Sequence, residues 1–306
     1  MPNIVVVGSA NTDMVVKSPR IPGPGETVIG GEFLMAAGGK GANQAVAAAR
    51  LGAQVTFVAC LGNDVFGDQA LAGYQREGID TTYIVRDAQA ASGVALIVVD
   101  AHGENSIAVA SGANARLSST HVERAATRIA QADVLLVQLE VPIEAVRAAI
   151  ELAHRSDVPV ILNPAPAQQM DAGLLKQVTV ATPNEHEIKV VVGQQDQNAA
   201  IAAMLDAGTQ TVLVTLGQQG ALWAEETSRT QIPAFQVRAV DTTAAGDAFN
   251  GGLACALGRG AAMADAIRYA NAVAALSVTR MGAQPSLPTA AEVDAFLAQA
   301  STRAAR

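Results

Sequence analysis

Cysteine is scarce in this chain of 306 residues: only Cys60 and Cys255 occur, each in an apolar neighbourhood. Two such residues do not make a disulfide framework and read as buried thiols of a reducing compartment. No spacing suits a structural zinc site. Positive charge is also short, with 20 Lys and Arg against 28 Asp and Glu and a net charge of -8. A nucleic-acid surface is normally basic, so no nucleic-acid partner is expected. A membrane helix needs about 20 apolar residues in a row, and the chain has no such run. The opening Met-Pro-Asn-Ile-Val-Val-Val-Gly lacks a basic leader and goes straight into a strand pattern, unlike a signal peptide. The expectation is a soluble, cytoplasmic protein. His102, His121, His154 and His186 are scattered, and none pairs with a serine or cysteine nucleophile. Linkers, low-complexity segments and internal repeats are missing too.

Half of the residues are hydrophobic, enough for a large core. Continuous aliphatic runs recur at 4–7, 94–99, 134–139, 158–162, 178–181 and 212–216, as in strands buried on both faces. Between them lie alanine-rich amphipathic stretches at 42–51, 118–130, 143–153 and 199–207. This alternation predicts an α/β fold with a mostly parallel sheet covered by helices on both faces. The last third turns to helix upon helix, from 247 to about 279 and from 290 to about 299. Residues 13–36 and 92–111 break the pattern with short alternating runs, prolines and glycines. They predict a small antiparallel sheet projecting from the body, either a lid or dimer surface or an ordinary surface hairpin.

The most specific motif is Asp241-Thr242-Thr243-Ala244-Ala245-Gly246-Asp247-Ala248-Phe249-Asn250-Gly251-Gly252. Small residues at a helix start admit a ligand to the backbone, and free N–H groups there attract anions. A carboxylate beside such a site repels the anion it collects. That is tolerable if Asp247 takes a proton from a hydroxyl attacking a phosphate while the N–H groups of Ala244, Ala245 and Gly246 hold the phosphoryl group.

Weaker signals end strand after strand. Gly38-Gly39-Lys40-Gly41-Ala42-Asn43-Gln44 places Lys40 and Asn43 three apart at a helix start, where their donors suit sugar hydroxyls; a glycine-rich turn with a capping Asn would look the same. It is not a G-x-x-x-x-G-K-[ST] loop. Gly8-Ser9-Ala10-Asn11-Thr12-Asp13 lacks the dinucleotide fingerprint, which disfavours a dehydrogenase. Asn11 and Asp13 suit vicinal hydroxyls, or form an Asx turn. Glu140, after Gln138-Leu139, can accept from a sugar hydroxyl or support a cation. Asn184 and Glu187 open a helix, and Glu187 suits water-mediated Mg²⁺ binding or the helix dipole. Thr215, Gly217 and Gly220 suit nucleotide phosphates or ribose, or a plain turn. Polar residues that converge on one sheet edge are what an α/β active site requires.

Together these motifs resemble the ribokinase-like carbohydrate kinase family. Residues 38–45 resemble its N-terminal signature and residues 241–252 its C-terminal one, and the likeness runs from Val5 to about Phe296. The longer stretches Gly39-Lys40-Gly41-Ala42-Asn43-Gln44-Ala45-Val46-Ala47-Ala48, Leu162-Asn163-Pro164-Ala165-Pro166-Ala167 and Gly282-Ala283-Gln284-Pro285-Ser286 resemble the member after which the family is named. The resemblance implies transfer of the γ-phosphoryl group of ATP to the 5-hydroxyl of D-ribose, with Asp247 as base. Asn11, Asp13, Gly39, Lys40, Asn43 and Glu140 would then hold the sugar. Asn184, Glu187, Thr215, Gly217, Gly220 and Gly246 would serve the nucleotide and its Mg²⁺. A monovalent cation, usually K⁺, would lie by Asp241 and Thr243 on one side and Ser277, Arg280, Gly282 and Ser286 on the other. Arg280 would offer its carbonyl, and its side chain reads also as an ion-pair partner. Residues 13–36 and 92–111 would form a β lid that clasps two subunits into a homodimer. Asn271 stands where the family often carries a histidine near the adenine. Alternatives are a deoxyribokinase or another sugar kinase of the family, and a non-catalytic sugar- or nucleotide-binding regulator.

Overall fold

The computed structural model describes residues 1–304, with side chains described to residue 300. Nine strands form the main sheet. In chain order they are β1 (Asn3–Val7), β4 (Gln54–Gly62), β5 (Ile84–Asp87), β8 (Val134–Val137), β9 (Val160–Leu162), β10 (Val180–Ala181), β11 (Thr211–Thr215), β12 (Ala221–Ala224) and β13 (Arg229–Ile232). Four more form a second sheet: β2 (Asn11–Lys17), β3 (Phe33–Gly38), β6 (Gly93–Val99) and β7 (Asn105–Ala110).

The main sheet runs β13-β12-β11-β10-β9-β8-β1-β4-β5. Every neighbour from β11 to β5 is parallel, and the β11–β12 and β12–β13 pairs are antiparallel. The continuous aliphatic runs follow from burial on both faces. In β1, Ile4 and Val6 enter one core while Val5 and Val7 enter the other. The first core packs under the helices Lys40–Arg50, Ala245–Gly258, Met263–Ser277 and Ala290–Ala304; the second packs under Ile143–His154 and Gln197–Asp206. Cys60 and Cys255 are free and buried. Burial pushes their thiols up to about 11 and about 12, so neither supplies a thiolate.

The small sheet runs β3-β2-β6-β7. Its β2–β3 and β6–β7 hairpins are antiparallel as expected, and the β2–β6 seam between them is parallel. Residues 94–99 therefore lie in the small sheet, as predicted for 92–111, and not in the doubly buried one that their aliphatic run suggested: Leu96 is exposed, and Val98 and Val99 are half-buried. The stretch 118–130 forms two short helices, Ser119–Glu123 and Ala126–Ala130, with Arg124 and Ala125 between them. The long β4 strand and the helix Val65–Arg76 were not anticipated.

Candidate active site

β1 ends at Val7 and the chain crosses to β2, so Asn11 and Asp13 sit over the carboxyl ends of the parallel strands. β3 returns the chain to Gly39, whose φ of 88° opens the helix Lys40–Arg50. A Cβ there would lie 2.7 Å from the Asn11 N and 2.8 Å from the Ala10 Cα, so only glycine fits. The helix Ala245–Gly258 crosses Lys40–Arg50 at equally short range, since a Cβ on Gly251 would lie 2.5 Å from that of Ala47. One turn earlier on each helix stand Asp247 and Asn43, and this close approach brings them together.

Asp247 is buried, 6 % exposed. Its Oδ2 accepts from Asn43 Nδ2 at 2.9 Å and its Oδ1 from Gln44 Nε2 at 2.9 Å. Burial pushes the carboxyl above the ordinary aspartate value; Lys40, Asn43 and Gln44 pull the other way, and Glu140 adds to the rise. Burial alone would depress the Lys40 ammonium, but Asp247, Glu140 and Glu187 outweigh it and hold it above the usual lysine value. Asp13 is pushed up to about 6 by desolvation first, then by Glu140 and Asp247. Glu140 Oε2 accepts from Ser9 Oγ at 2.5 Å and from the Lys40 N–H at 3.0 Å. Asn11 Oδ1 accepts from Asn114 Nδ2 at 2.7 Å, so a buried neighbour sets its amide direction. A cavity of about 430 Å³ opens beside Asn11, Asn114 and Glu140 and reaches Val109 of the small sheet.

The helix Ala245–Gly258 starts without a side-chain cap, and Ala244 is left-handed at φ 59°. A non-glycine residue held there costs on the order of 1 kcal/mol, a kind of strain that clusters at functional sites. The Ala245 N–H bonds to the Thr242 carbonyl at 3.2 Å. That narrows the expected anion cradle: among the described residues the N–H groups of Ala244, Gly246 and Asp247 have no acceptor, whereas that of Ala245 does.

Asn184 and Glu187 cap each other. Asn184 Oδ1 accepts from the Glu187 N–H at 2.8 Å, and Glu187 Oε2 accepts from the Asn184 N–H at 2.8 Å. This reciprocal pair opens the helix Glu187–Val192, a local capping role for Glu187 that the sequence reading did not name. Desolvation raises its carboxyl even so, against the pull of Asn184 and Lys40. Asn184 also bridges to Thr215 in parallel register. Gly217 and Gly220 bound a short 3₁₀ turn after β11. Asn271 is buried and gives its Nδ2 to the Ile232 and Pro233 carbonyls, both at 3.2 Å. Its donors thus tie the helix Met263–Ser277 to the chain leaving β13.

The residues expected to hold a monovalent cation form two groups. Asp241 accepts from the Thr243 N–H at 2.9 Å, the Thr243 hydroxyl at 2.6 Å and the Gly282 N–H at 2.8 Å. Burial pushes this carboxyl up, but those bonds outweigh it and hold it below the usual value. The Ser277 and Ser286 hydroxyls lie 2.8 Å apart, with no hydrogen bond to Asp241. Arg280 turns its guanidinium to Glu292 at 2.6 Å. No group of three or more His, Cys, Asp or Glu among the described residues is placed to hold a metal ion. No helix among them is long and apolar enough to cross a membrane.

Sequence reasoning did not assign Gln44, Ser9 or Gln138 a role. Gln44 stands inside the N-terminal motif and Gln138 two residues before Glu140, so position was the only available signal.

The pfkB family carbohydrate kinase profile matches residues 1–290. Ribokinase of Haemophilus influenzae is 45% identical over 302 residues, 97% of this chain and 99% of its own. Deoxyribokinase of Salmonella typhi is 37% identical over 301 residues, 96% of this chain and 98% of its own. The structure of Arabidopsis thaliana ribokinase complexed with ribose and ATP superposes with a TM-score of 0.90 at 31% identity, over 97% of this chain and 98% of its own.

Proposed function

This chain belongs to the pfkB family of carbohydrate kinases, and on that premise we propose that it is an ATP-dependent sugar kinase that phosphorylates D-ribose at O5. The observation that carries the mechanism is the buried Asp247 carboxylate at an uncapped helix start, beside Lys40 and held by Asn43 and Gln44. Asp247 accepts the proton of the 5-hydroxyl as the oxygen attacks the γ-phosphorus in line. The open N–H groups of Ala244, Gly246 and Asp247 receive the developing negative charge. Asn11, Asp13, Gly39, Lys40, Asn43 and Glu140 hold the sugar, with the Asn43 Oδ1, buried and without a donor, free to accept a sugar hydroxyl. Thr215, Gly217, Gly220 and Asn184 line the nucleotide side, and Asn271 supports its wall.

Glu187 has one oxygen in its cap and the other left over, which fits a water-mediated Mg²⁺. That ion, when bound, neutralises phosphate charge. Asp241 is ionised, and its three donors leave roughly one of about four lone-pair positions, which fits a monovalent cation such as K⁺. Bound there, K⁺ supplies positive potential beneath the anion-binding helix start. The small sheet serves as the lid that excludes water. Its exposed Phe33, Met35 and Leu96 share one face and suit a homodimer clasp. Two unpaired buried thiols suit the cytoplasm.

The test is ADP release from ATP across pentoses, hexoses and nucleosides, with and without K⁺. D-ribose is expected to be the preferred acceptor, and no acceptor among them would refute the reading. The likeness to a deoxyribokinase keeps 2-deoxyribose as second substrate candidate; equal turnover without the 2-hydroxyl would favour it.

A further inference from the structure

Behind Asp247 lies a chain of amides. Gln44 is fully buried, and both of its N–H donors are used: Nε2 gives one bond to Asp247 Oδ1 at 2.9 Å and another to Asn163 Oδ1 at 3.1 Å. Its Oε1 accepts from Gln138 Nε2 at 2.5 Å, and Gln138 is fully buried as well. Turning the Gln44 amide over would set its oxygen against two acceptors and its NH₂ against the Gln138 donor. The network therefore admits one orientation of Gln44, with its donors toward the carboxylate.

We propose that Gln44 is a positioning residue for phosphoryl transfer, backed by Gln138, which fixes the direction of the Asp247 carboxylate and keeps it ionised. This rests on the reading of Asp247 as base. Consecutive side chains of one helix take one carboxylate oxygen each, Asn43 on Oδ2 and Gln44 on Oδ1. Asn43 also belongs to the sugar site, whereas Gln44 faces the core, where its other bonds go to the buried amides of Asn163 and Gln138. The charged groups facing Asp247 are Lys40, Glu140, Glu187 and Asp13. Three carboxylates disfavour a further negative charge and one ammonium favours it. Neutral amides add hydrogen bonds to the ionised form without the full acidifying effect of a second cation, so the carboxylate keeps its basicity. Gln138 acts one step back, because its bond to Oε1 holds the Gln44 amide in register.

The experiment is kcat against pH for the full chain with D-ribose, MgATP and K⁺ in excess, from about pH 5 to 9, with ADP read by chromatography. A hydrogen bond to a charged group corresponds to about one to two pK units. Gln44→Met is expected to raise the acidic limb of the profile by roughly one unit, because the protonated, inactive form of Asp247 gains relative stability. Gln138→Met, which does not touch Asp247, is expected to move the limb the same way by less. A merely structural Gln44 would lower kcat evenly at every pH, and a limb that superposes on the parent's overturns the proposal. If Gln44→Met fails to fold, an unmoved limb in Gln138→Met overturns it and a raised one supports it. Asp247→Asn run alongside separates the two readings. Near-normal turnover in that variant sinks the base itself, whereas an inactive Asp247→Asn with an unmoved limb in the glutamine variants sinks the positioning role alone.

Discussion

Replacing Asp13 by Asn removes a carboxylate that the folded apoprotein holds at a disadvantage. Desolvation first, then Glu140 and Asp247, raise it from 3.8 to about 6. Below about pH 4 the group is protonated in the folded and unfolded chains alike and contributes no difference. Between about pH 4 and 6 the unfolded chain gives up its proton while the folded one still holds it, so stability falls as pH rises. A shift of about two units corresponds to about 3 kcal/mol once both states are ionised, an upper bound because water and counterions relax around the site. Asp13→Asn should therefore stabilise the apoprotein at pH 7.5 and leave it little changed near pH 4. Urea unfolding of parent and variant at several pH values reads this directly. The variant should bind D-ribose more weakly, since the ionised acceptor for sugar hydroxyls is gone. Added ribose should therefore stabilise the parent more than the variant. A variant that is less stable than the parent at pH 7.5, or whose advantage does not grow with pH, would refute the reasoning.

Two further outcomes follow from the neighbouring sites. Glu187→Gln retains an acceptor for the Asn184 N–H, and so should unfold within about 0.5 kcal/mol of the parent. Its half-saturating Mg²⁺ concentration should nevertheless rise severalfold in an ADP-release titration, and an unchanged Mg²⁺ requirement would reduce Glu187 to a cap. Replacing K⁺ by Na⁺ should lower turnover in the parent, and Asp241→Ala should abolish the difference between the two ions; a parent indifferent to the cation would remove the Asp241 site from the account.

Much of the fold was legible because the parallel strands are buried on both faces. Residues 4–7, 134–139, 158–162, 178–181 and 212–216 are aliphatic almost throughout, as β1, β8, β9, β10 and β11 require. The same signal misled at 94–99, because a sheet with a large exposed apolar face is also written in continuous aliphatics. β4 escaped notice although it is nearly all buried, since Gln54, Thr56, Ala59 and Cys60 dilute its run. No glycine or proline marks the break at Arg124 and Ala125 between the two short helices. At the site, residue types and helix-start positions placed Asp247, Lys40 and Asn43 near one another. The role of Gln44 was not readable, because the helix face it occupies acquires meaning only when Gly251 lets the second helix descend onto Ala47. Nor could spacing show that the Ala245 N–H is taken by Thr242 while its neighbours stay open.

The most direct test of the account is the turnover of Asp247→Asn with D-ribose and MgATP at saturating K⁺, measured beside its ribose affinity. The substitution is nearly isosteric: Gln44 can still donate to the amide oxygen, and Asn43, whose Oδ1 has no partner, can turn over to accept from the new NH₂. General-base assistance supplies about 10²–10⁴-fold, so kcat should fall by that factor or more while ribose affinity changes far less. Turnover close to the parent's would contradict the assignment of Asp247 as the base, and with it the mechanism.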